Sequence, residues 1–350
     1  MRLSILISMY NSENYIEHCL KSVLNQDIPF TDYEILVADD GSTDGSYAIV
    51  KNYADRYSNI KLIKGTNEGV YTKRNLLMRM ASGKYLYHLD ADDYIAPNCL
   101  SFLLKITEQH DLDILGFGSL ITYDHGYLEP NLILDSERPI ETITGKEMLL
   151  RESGIRYETW WYFIKASFFN DAGIWFEVNN RVTSDANFTI ELFIKASKAY
   201  FLELTLHYYF QSENSLMRNH CDKSLNNRLK GNLNTVTCFN ELAKKLDPRN
   251  SLDNNVKEVL SRKMTILTYQ ALFDLSRSNL KLERKFEILD ILKHESLYPI
   301  SQLKGSEFSK LFHVILLRII NEPFVFSNLL RIRFFRGFHL IYRKLPFVSS

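Results

Sequence analysis

The chain has 350 residues, 45% hydrophobic and 24% charged, the composition of a folded soluble protein long enough for two domains. Its 42 basic and 42 acidic residues cancel, so the overall charge gives no support for nucleic-acid binding. The cysteines Cys19, Cys99, Cys221 and Cys238 form no CxxC pair, which argues against a zinc knuckle or redox motif and for reduced thiols in a cytosolic protein. The apolar start is too short for a signal peptide, and no run reaches the roughly 20 apolar residues of a transmembrane helix.

Strand and helix patterns alternate through the first third, which predicts βαβ units and a mainly parallel sheet. Leu3 to Met9 is a short apolar run, followed by a helical face of Tyr15, Cys19, Leu20, Val23 and Leu24. A second strand, Tyr33 to Ala38, stops at the turn cluster Asp39-Asp40-Gly41-Ser42-Thr43-Asp44-Gly45, before a helix over Ser46 to Tyr57. A third strand, Ile60 to Ile63, leads through Gly65 and Gly69 to a helix carrying Lys73 and Arg74 that closes at Gly83. The fourth ends on Asp90-Ala91-Asp92-Asp93. Further on, Leu112 to Thr122 reads as a strand and Thr144 to Arg151 as a short helix, Tyr157 to Phe169 is dense in aromatics, and after about Asp222 the pattern is helical.

Parallel strands with right-handed crossovers present their carboxyl ends on one edge, so Asp39, Asp40, Asp90, Asp92 and Asp93 are expected to face one crevice. Hard divalent cations take oxygen ligands from one or two carboxylates plus substrate phosphates, so Asp90, Ala91 and Asp92 read as a metal–nucleotide site. The competing reading is a solvated turn or a cap for the segment beginning near Pro97.

The ordered series of motifs resembles the inverting family-2 glycosyltransferases of bacterial type. It consists of Ser8-Met9-Tyr10-Asn11 with Tyr15-Ile16, Cys19-Leu20 and Asn25-Gln26, then Asp39 to Asp44, Asn67-Glu68-Gly69 with Arg74-Asn75, Ala81 to Tyr85, and Asp90 to Asp93. Met9 stands where that family often has proline, and Ser184-Asp185 where Glu-Asp is common. The resemblance implies an α/β GT-A fold, Rossmann-like with a mainly parallel sheet flanked by helices, over residues 1–218. A helical C-terminal extension would occupy 219–350. It further implies non-processive, metal-dependent transfer of a sugar from a nucleotide-diphosphate donor, uridine-linked, to a saccharide or lipid-linked acceptor in surface-polysaccharide assembly.

By position in the motifs, Asp92 would ligate Mn²⁺ or Mg²⁺, and Asp90 would hold the ribose or the outer shell of the metal. Asp40, or alternatively Asp39, would bind the base, with Ser8 and Tyr10 lining its pocket. Lys73 and Arg74 would touch the donor phosphates or ribose, unless they form a solvated helix face. Asp185 aligns with the base that deprotonates the acceptor hydroxyl, against the plainer reading of a helix N-cap. Trp160 and Trp161 could stack an acceptor sugar or belong to the core. The segment from His207 to Gln211, with Ser215, resembles the one that follows the base, and Arg218 or His220 would then reach the diphosphate.

Beyond the resemblance, Leu329 to Leu345 alternates apolar and basic residues, the pattern of an amphipathic helix at the cytoplasmic face of the inner membrane or of one docked on its own core. A nucleotidyltransferase would carry a glycine-rich basic loop near its N-terminus, and Ser8-Met9-Tyr10-Asn11 is not one. A non-catalytic nucleotide-sugar or carbohydrate-binding protein on the same fold is the remaining rival, favoured by Ser184.

Overall fold

A computed structural model describes residues 1–124, 126, 140–151, 156–178, 183–211, 222–300 and 311–332. The chain divides into two compact units, Met1–Arg218 and Asn219–Ser350.

In the first unit the alternation read from the sequence gives β1 (Leu3–Met9), α1 (Ile16–Leu24), β2 (Tyr33–Asp39), α2 (Ser46–Arg56), β3 (Ile60–Lys64), α3 (Val70–Met80) and β4 (Tyr85–Asp90). There follow β5 (Tyr94–Ile95), α4 (Leu100–Gln109), β6 (Ile114–Thr122), α5 (Gly145–Leu149), β7 (Tyr162–Lys165), α6 (Ala166–Ala172), α7 (Ser184–Lys195) and β8 (Ala199–Phe210). The eight strands form one sheet in the order β3-β2-β1-β4-β7-β6-β8-β5. Strands β3, β2, β1 and β4 are parallel, β7 runs antiparallel to both β4 and β6, and β6 is parallel to β8.

β1 and β2 are nearly continuous apolar runs because the sheet is covered on both sides, as parallel strands require. One side carries a core of Ile5, Ile7, Tyr87, Leu115, Phe117 and Phe163. On the other, stacked rings of Tyr71, Phe176 and Phe188 tie α3 to α7. Three strands escape the sequence pattern. β5 is two residues long, β7 lies within the aromatic stretch, where Trp160 to Ile164 is an unbroken apolar run without period-two alternation, and β8 falls where the sequence reading places no strand.

At the opposite edge from the Asp motifs, Glu34 on β2 is buried. It accepts hydrogen bonds from Ser4 Oγ (2.7 Å), Ser82 N (2.7 Å), Ser82 Oγ (2.7 Å) and Lys61 Nζ (2.9 Å). This carboxylate joins β1, β2, β3 and the turn that enters β4.

The second unit is helical, with α8 (Asp222–Lys245), α9 (Ser251–Arg277), α10 (Leu282–His294), α11 (Leu311–Asn321) and α12 (Pro323–Ile332). α8 packs on α9, and the Asn250 side chain caps α9 by accepting from the backbone N–H groups of Leu252 and Asp253. Its core includes Leu272, Phe273, Leu289, Ile320, Phe326 and Leu330. The amide of Asn321 pairs with both backbone groups of Ile300, at 2.9 and 2.7 Å. Of the basic apolar tail, Leu330 is buried in this core and Arg331 is exposed, while 333–345 lie outside the described residues. No helix among the described residues is long and apolar enough to cross a membrane.

Replacing Glu34 by glutamine is expected to cost about 1–3 kcal/mol at pH 7, the worth of charge-assisted hydrogen bonds around a buried acceptor. Burial alone would raise the pKa of Glu34, but the Ser82 and Lys61 hydrogen bonds outweigh it and hold it below 4.5. The stabilisation is therefore fully present above pH 4.5 and is lost as pH falls through the depressed folded value. Urea unfolding of both proteins from pH 7 to pH 3 should show a gap that closes on the acid side, and a constant gap would contradict this account.

Candidate active site

Strand register brings the motifs together. Ser8 on β1 is paired with Ala38 on β2 and with Asp90 on β4, so the carboxyl ends of three adjacent strands meet at one edge. Asp40 N donates to Met9 O at 2.8 Å, which fastens the β2 loop to the β1 loop. Asn11, in the left-handed region at φ 50°, accepts from Thr43 N at 2.8 Å through its side chain. Tyr10 is 47% exposed beside these loops, and the Ser8 hydroxyl is buried with no hydrogen-bond partner among the described residues.

The two acids after β2 are differently engaged. Both oxygens of Asp40 accept backbone hydrogen bonds, from Glu68 N at 2.8 Å and Gly69 N at 2.9 Å, and Lys73 Nζ lies 3.4 Å away. Asp39 accepts from Ser42 N at 3.1 Å through one oxygen. Lys73 is buried, with its ammonium 2.5 Å from Glu68 as well, and Arg74 is buried beside it. The solvated-face reading of these two cations is thereby excluded. α3 instead turns them into the sheet edge.

Arg74 is the centre of the site. One guanidinium nitrogen donates to Asp185 Oδ1 at 2.5 Å and another to Asp90 Oδ1 at 2.7 Å. The rings of Phe176 and Tyr71 flank it, at 5.6 and 5.7 Å from the guanidinium carbon. Burial opposes its charge, but Asp185 and Asp90 prevail and raise its pKa. Asp185 lies in the first turn of α7, where the N-cap position belongs to Thr183, so the capping reading does not hold. Its second oxygen accepts from the Tyr71 hydroxyl at 3.2 Å. Burial raises the Asp185 carboxyl and Arg74 restrains it, leaving it at about 6. Ser184, where glutamate is common, is buried and accepts from Glu177 N at 2.7 Å, a pin on the segment before α7.

Asp92 is pushed well above the carboxylate range by burial and by the charges of Asp93 and Asp90. That crowding is what a cation would relieve. Among the described residues no cluster of three or more His, Cys, Asp or Glu could cage a metal alone. Asp92, with the free oxygen of Asp90, supplies the one or two carboxylates that Mg²⁺ or Mn²⁺ takes beside substrate phosphates, so the donor set fits the shared kind of site.

Asp93 points inward. Its Oδ1 accepts from Phe210 N at 2.9 Å, and Oδ2 sits 3.2 Å from His207 Nε2 without hydrogen-bond alignment. Burial raises Asp93 and lowers His207 to about 3, so the pair is held uncharged. His207 Nδ1 meets Ser119 Oγ at 2.8 Å. Trp160 and Trp161 form a single 3₁₀ turn ahead of β7 and are 7 and 8% exposed. Trp160 stacks on His207 (4.2 Å, 14°), on Tyr209 (5.7 Å) and on Trp161 (5.1 Å). Arg218, His220 and Ser215 lie outside the described residues.

Tyr71 and Ser119, and the chain that links Ser119 to His207 and Asp93, are what sequence reasoning missed. Tyr71 precedes Arg74 by three positions and so shares its helix face, which is a usable signal. Ser119 carried none, because its partner lies 88 residues on.

Glycosyl transferase family 2 matches residues 4–169. The uncharacterized glycosyltransferase EpsJ of Bacillus subtilis is 28% identical over 293 residues, 76% of this chain and 83% of that one. The poly(ribitol-phosphate) β-N-acetylglucosaminyltransferase TarS of Staphylococcus aureus is 28% identical over 211 residues, 60% of this chain, which spans only 35% of that protein. Among solved structures, S. aureus TarS 1–349 in complex with UDP superposes with a TM-score of 0.60 at 20% identity, covering 93% of this chain and 91% of that one. The mannosyltransferase PcManGT of Pyrobaculum calidifontis, with GDP-Man and Mn²⁺, gives 0.52 at 13% identity, covering 95 and 86%. With strands β2 to β7 and the Asp39–Asp44 and Asp90–Asp93 motifs inside the matched segment, the part of the chain that holds the site belongs to family 2 of the glycosyltransferases and has the GT-A fold.

Proposed function

We propose that this glycosyltransferase moves one sugar from a uridine-diphosphate donor to a saccharide acceptor, with inversion, in surface-polysaccharide assembly. The observation that carries the reading is the buried bridge in which one guanidinium holds both Asp90, of the donor motif, and Asp185. A carboxylate so held, with burial keeping its pKa near 6, is ionised at neutral pH and still basic enough to receive a proton. In a single displacement the acceptor oxygen bonds to the anomeric carbon as the bond to the diphosphate breaks, and the hydroxyl proton passes to Asp185.

The donor would lie across the ends of β2, β1 and β4, with Asp39 or Asp40, Ser8 and Tyr10 at the base and Lys73 and Arg74 toward the ribose and phosphates. A divalent cation held by Asp92, with Asp90 near the ribose or outer shell, supplies charge neutralisation for the leaving diphosphate. UDP in TarS and GDP-Man with Mn²⁺ in PcManGT support a nucleotide-sugar donor and a metal in this fold. The poly(ribitol-phosphate) enzymes among the relatives support an acceptor of the cell-surface polymer class. The acceptor would be carried on a lipid or a growing chain, and the basic tail from 333 to 345 would bring the enzyme to the cytoplasmic membrane surface. Ser184 favoured a non-catalytic protein, but Arg74 and Tyr71 orient Asp185 without a neighbouring glutamate, which supports turnover.

Calorimetric titration with UDP is expected to show binding that requires Mn²⁺ or Mg²⁺ and fails in Asp92→Ala. Asp185→Asn should keep the UDP affinity and lower turnover by about 10²- to 10⁴-fold, the usual worth of a positioned base. No metal-dependent binding of UDP would sink the donor assignment.

Because the base must be ionised, activity should fall as pH drops through about 6. Arg74→Gln removes the charge that restrains Asp185, so the acid limb should move to higher pH. A limb that stays in place in the variant would mean that Asp185 is not the group being read.

A further inference from the structure

Beside the donor crevice lies a second cavity, of about 230 Å³, lined by Arg151, Arg156, Trp161, Ser119, Phe193 and Phe201 among others. Its place follows from the sheet. β4 and β6 both pair with β7, with Tyr87 and Leu115 each opposite Phe163, so Gly116 is level with His88, two residues before Asp90. Two strand spacings separate them, roughly 10 Å. By alternation, Gly116 and Gly118 share the sheet face of His88 and Asp90, the face that carries α3 and α7. Phe193, in the cavity wall, is eight residues along α7 from Asp185, about 12 Å at 1.5 Å per residue.

The lining is chemically specific. The Arg156 guanidinium carbon lies 5.1 Å from the centre of the Trp161 ring, a cation–π contact. Neither the Arg156 nor the Arg151 side chain makes a hydrogen bond or ion pair among the described residues. The Trp161 indole N–H is buried and has no hydrogen-bond partner among the described residues. Ser119 is among the lining residues with its hydroxyl engaged by His207 Nδ1, and Glu203 at the exposed rim is the acid among them. Gly116 leaves room for the Phe201 ring, which a Cβ there would meet at 2.5 Å. Two unpaired guanidinium groups, a free N–H and flat aromatic walls make a site for an oxyanion carried on a sugar or polyol.

We propose that this cavity is an acceptor subsite for a negatively charged saccharide, gripping a phosphate or carboxylate through Arg151 and Arg156 while the adjoining unit reaches Asp185. The inference deepens the proposed function and rests on it, because it names the acceptor as anionic. Phosphate and uronate carboxylate share this chemistry, and the test separates them.

The full chain, with UDP and Mn²⁺ at saturation so that the donor crevice is filled, would be titrated by ligand-observed NMR with glycerol phosphate, glucuronate and glucose. The charged probes should bind and glucose should not. In Arg151→Ala/Arg156→Ala that binding should weaken by about tenfold or more, the scale of charge-assisted hydrogen bonds, with UDP affinity and melting temperature unchanged. Arg156→Lys should recover part of it for phosphate, since Lys binds phosphate as a point charge. Glycerol phosphate alone would assign phosphorylated acceptors, and glucuronate alone would assign uronic acids. Equal binding of glucose, no binding of either anion, or unchanged binding in the double variant would overturn the proposal. Anion binding through the arginines in a chain that binds no UDP would leave an anion pocket but remove its role as an acceptor subsite, and would mark the failure as that of the donor reading.

Discussion

One buried cation organises the edge of the sheet where the Asp motifs gather. Arg74 is out of water, and an isolated guanidinium there would be untenable, so it requires the two carboxylates that meet it. Those carboxylates come from β4 and from α7, elements separated by about a hundred residues and a stretch of mixed sheet. The ion bridge therefore couples the carboxyl end of β4, where the Asp90–Asp93 motif lies, with the helix that carries Asp185. Its aromatic flanks, Tyr71 and Phe176, belong to the same stack that packs α3 on α7, so electrostatic demand and apolar packing select the same arrangement.

The rest of the edge follows the same economy. Acids that could serve a ligand also hold the scaffold: Asp40 closes the 68–69 backbone, Asp93 receives Phe210 N, and Asp39 caps its own turn. Asp90 keeps one oxygen on Arg74, and Asp92 is left with a charge its neighbours resist. A cation and a diphosphate arriving together would satisfy that residual demand without dismantling any of these bonds.

Much of this was legible in the sequence. The first four strands and three helices stand within a residue or two of their apolar patterns, because parallel strands buried on both faces write continuous runs and their turns are marked by Gly and Asp. The gathering of Asp39, Asp40, Asp90 and Asp92 on one edge follows from handedness alone. The reversed strand β7 was not legible, since Trp160 to Phe163 has no alternation. Nor was the state of Lys73 and Arg74, because a helix face turned toward buried acids looks in sequence like one turned toward water. Pairings such as Ser119 with His207 depend on register between distant strands, which a single sequence does not encode in any local signal.

The double duty of Asp40 bears on any attempt to change the nucleotide that this scaffold accepts. With both oxygens committed to the backbone of Glu68 and Gly69 and a buried ammonium close by, Asp40 is a poor handle for redesign, since altering it would loosen the loop that leads into α3. Asp39 contributes one oxygen to its own turn and is the more permissive position. On the proposed donor reading, a library aimed at donor preference is better spread over Asp39, Ser8 and the exposed Tyr10, which leaves the bonds of Asp40 to Glu68 and Gly69 intact.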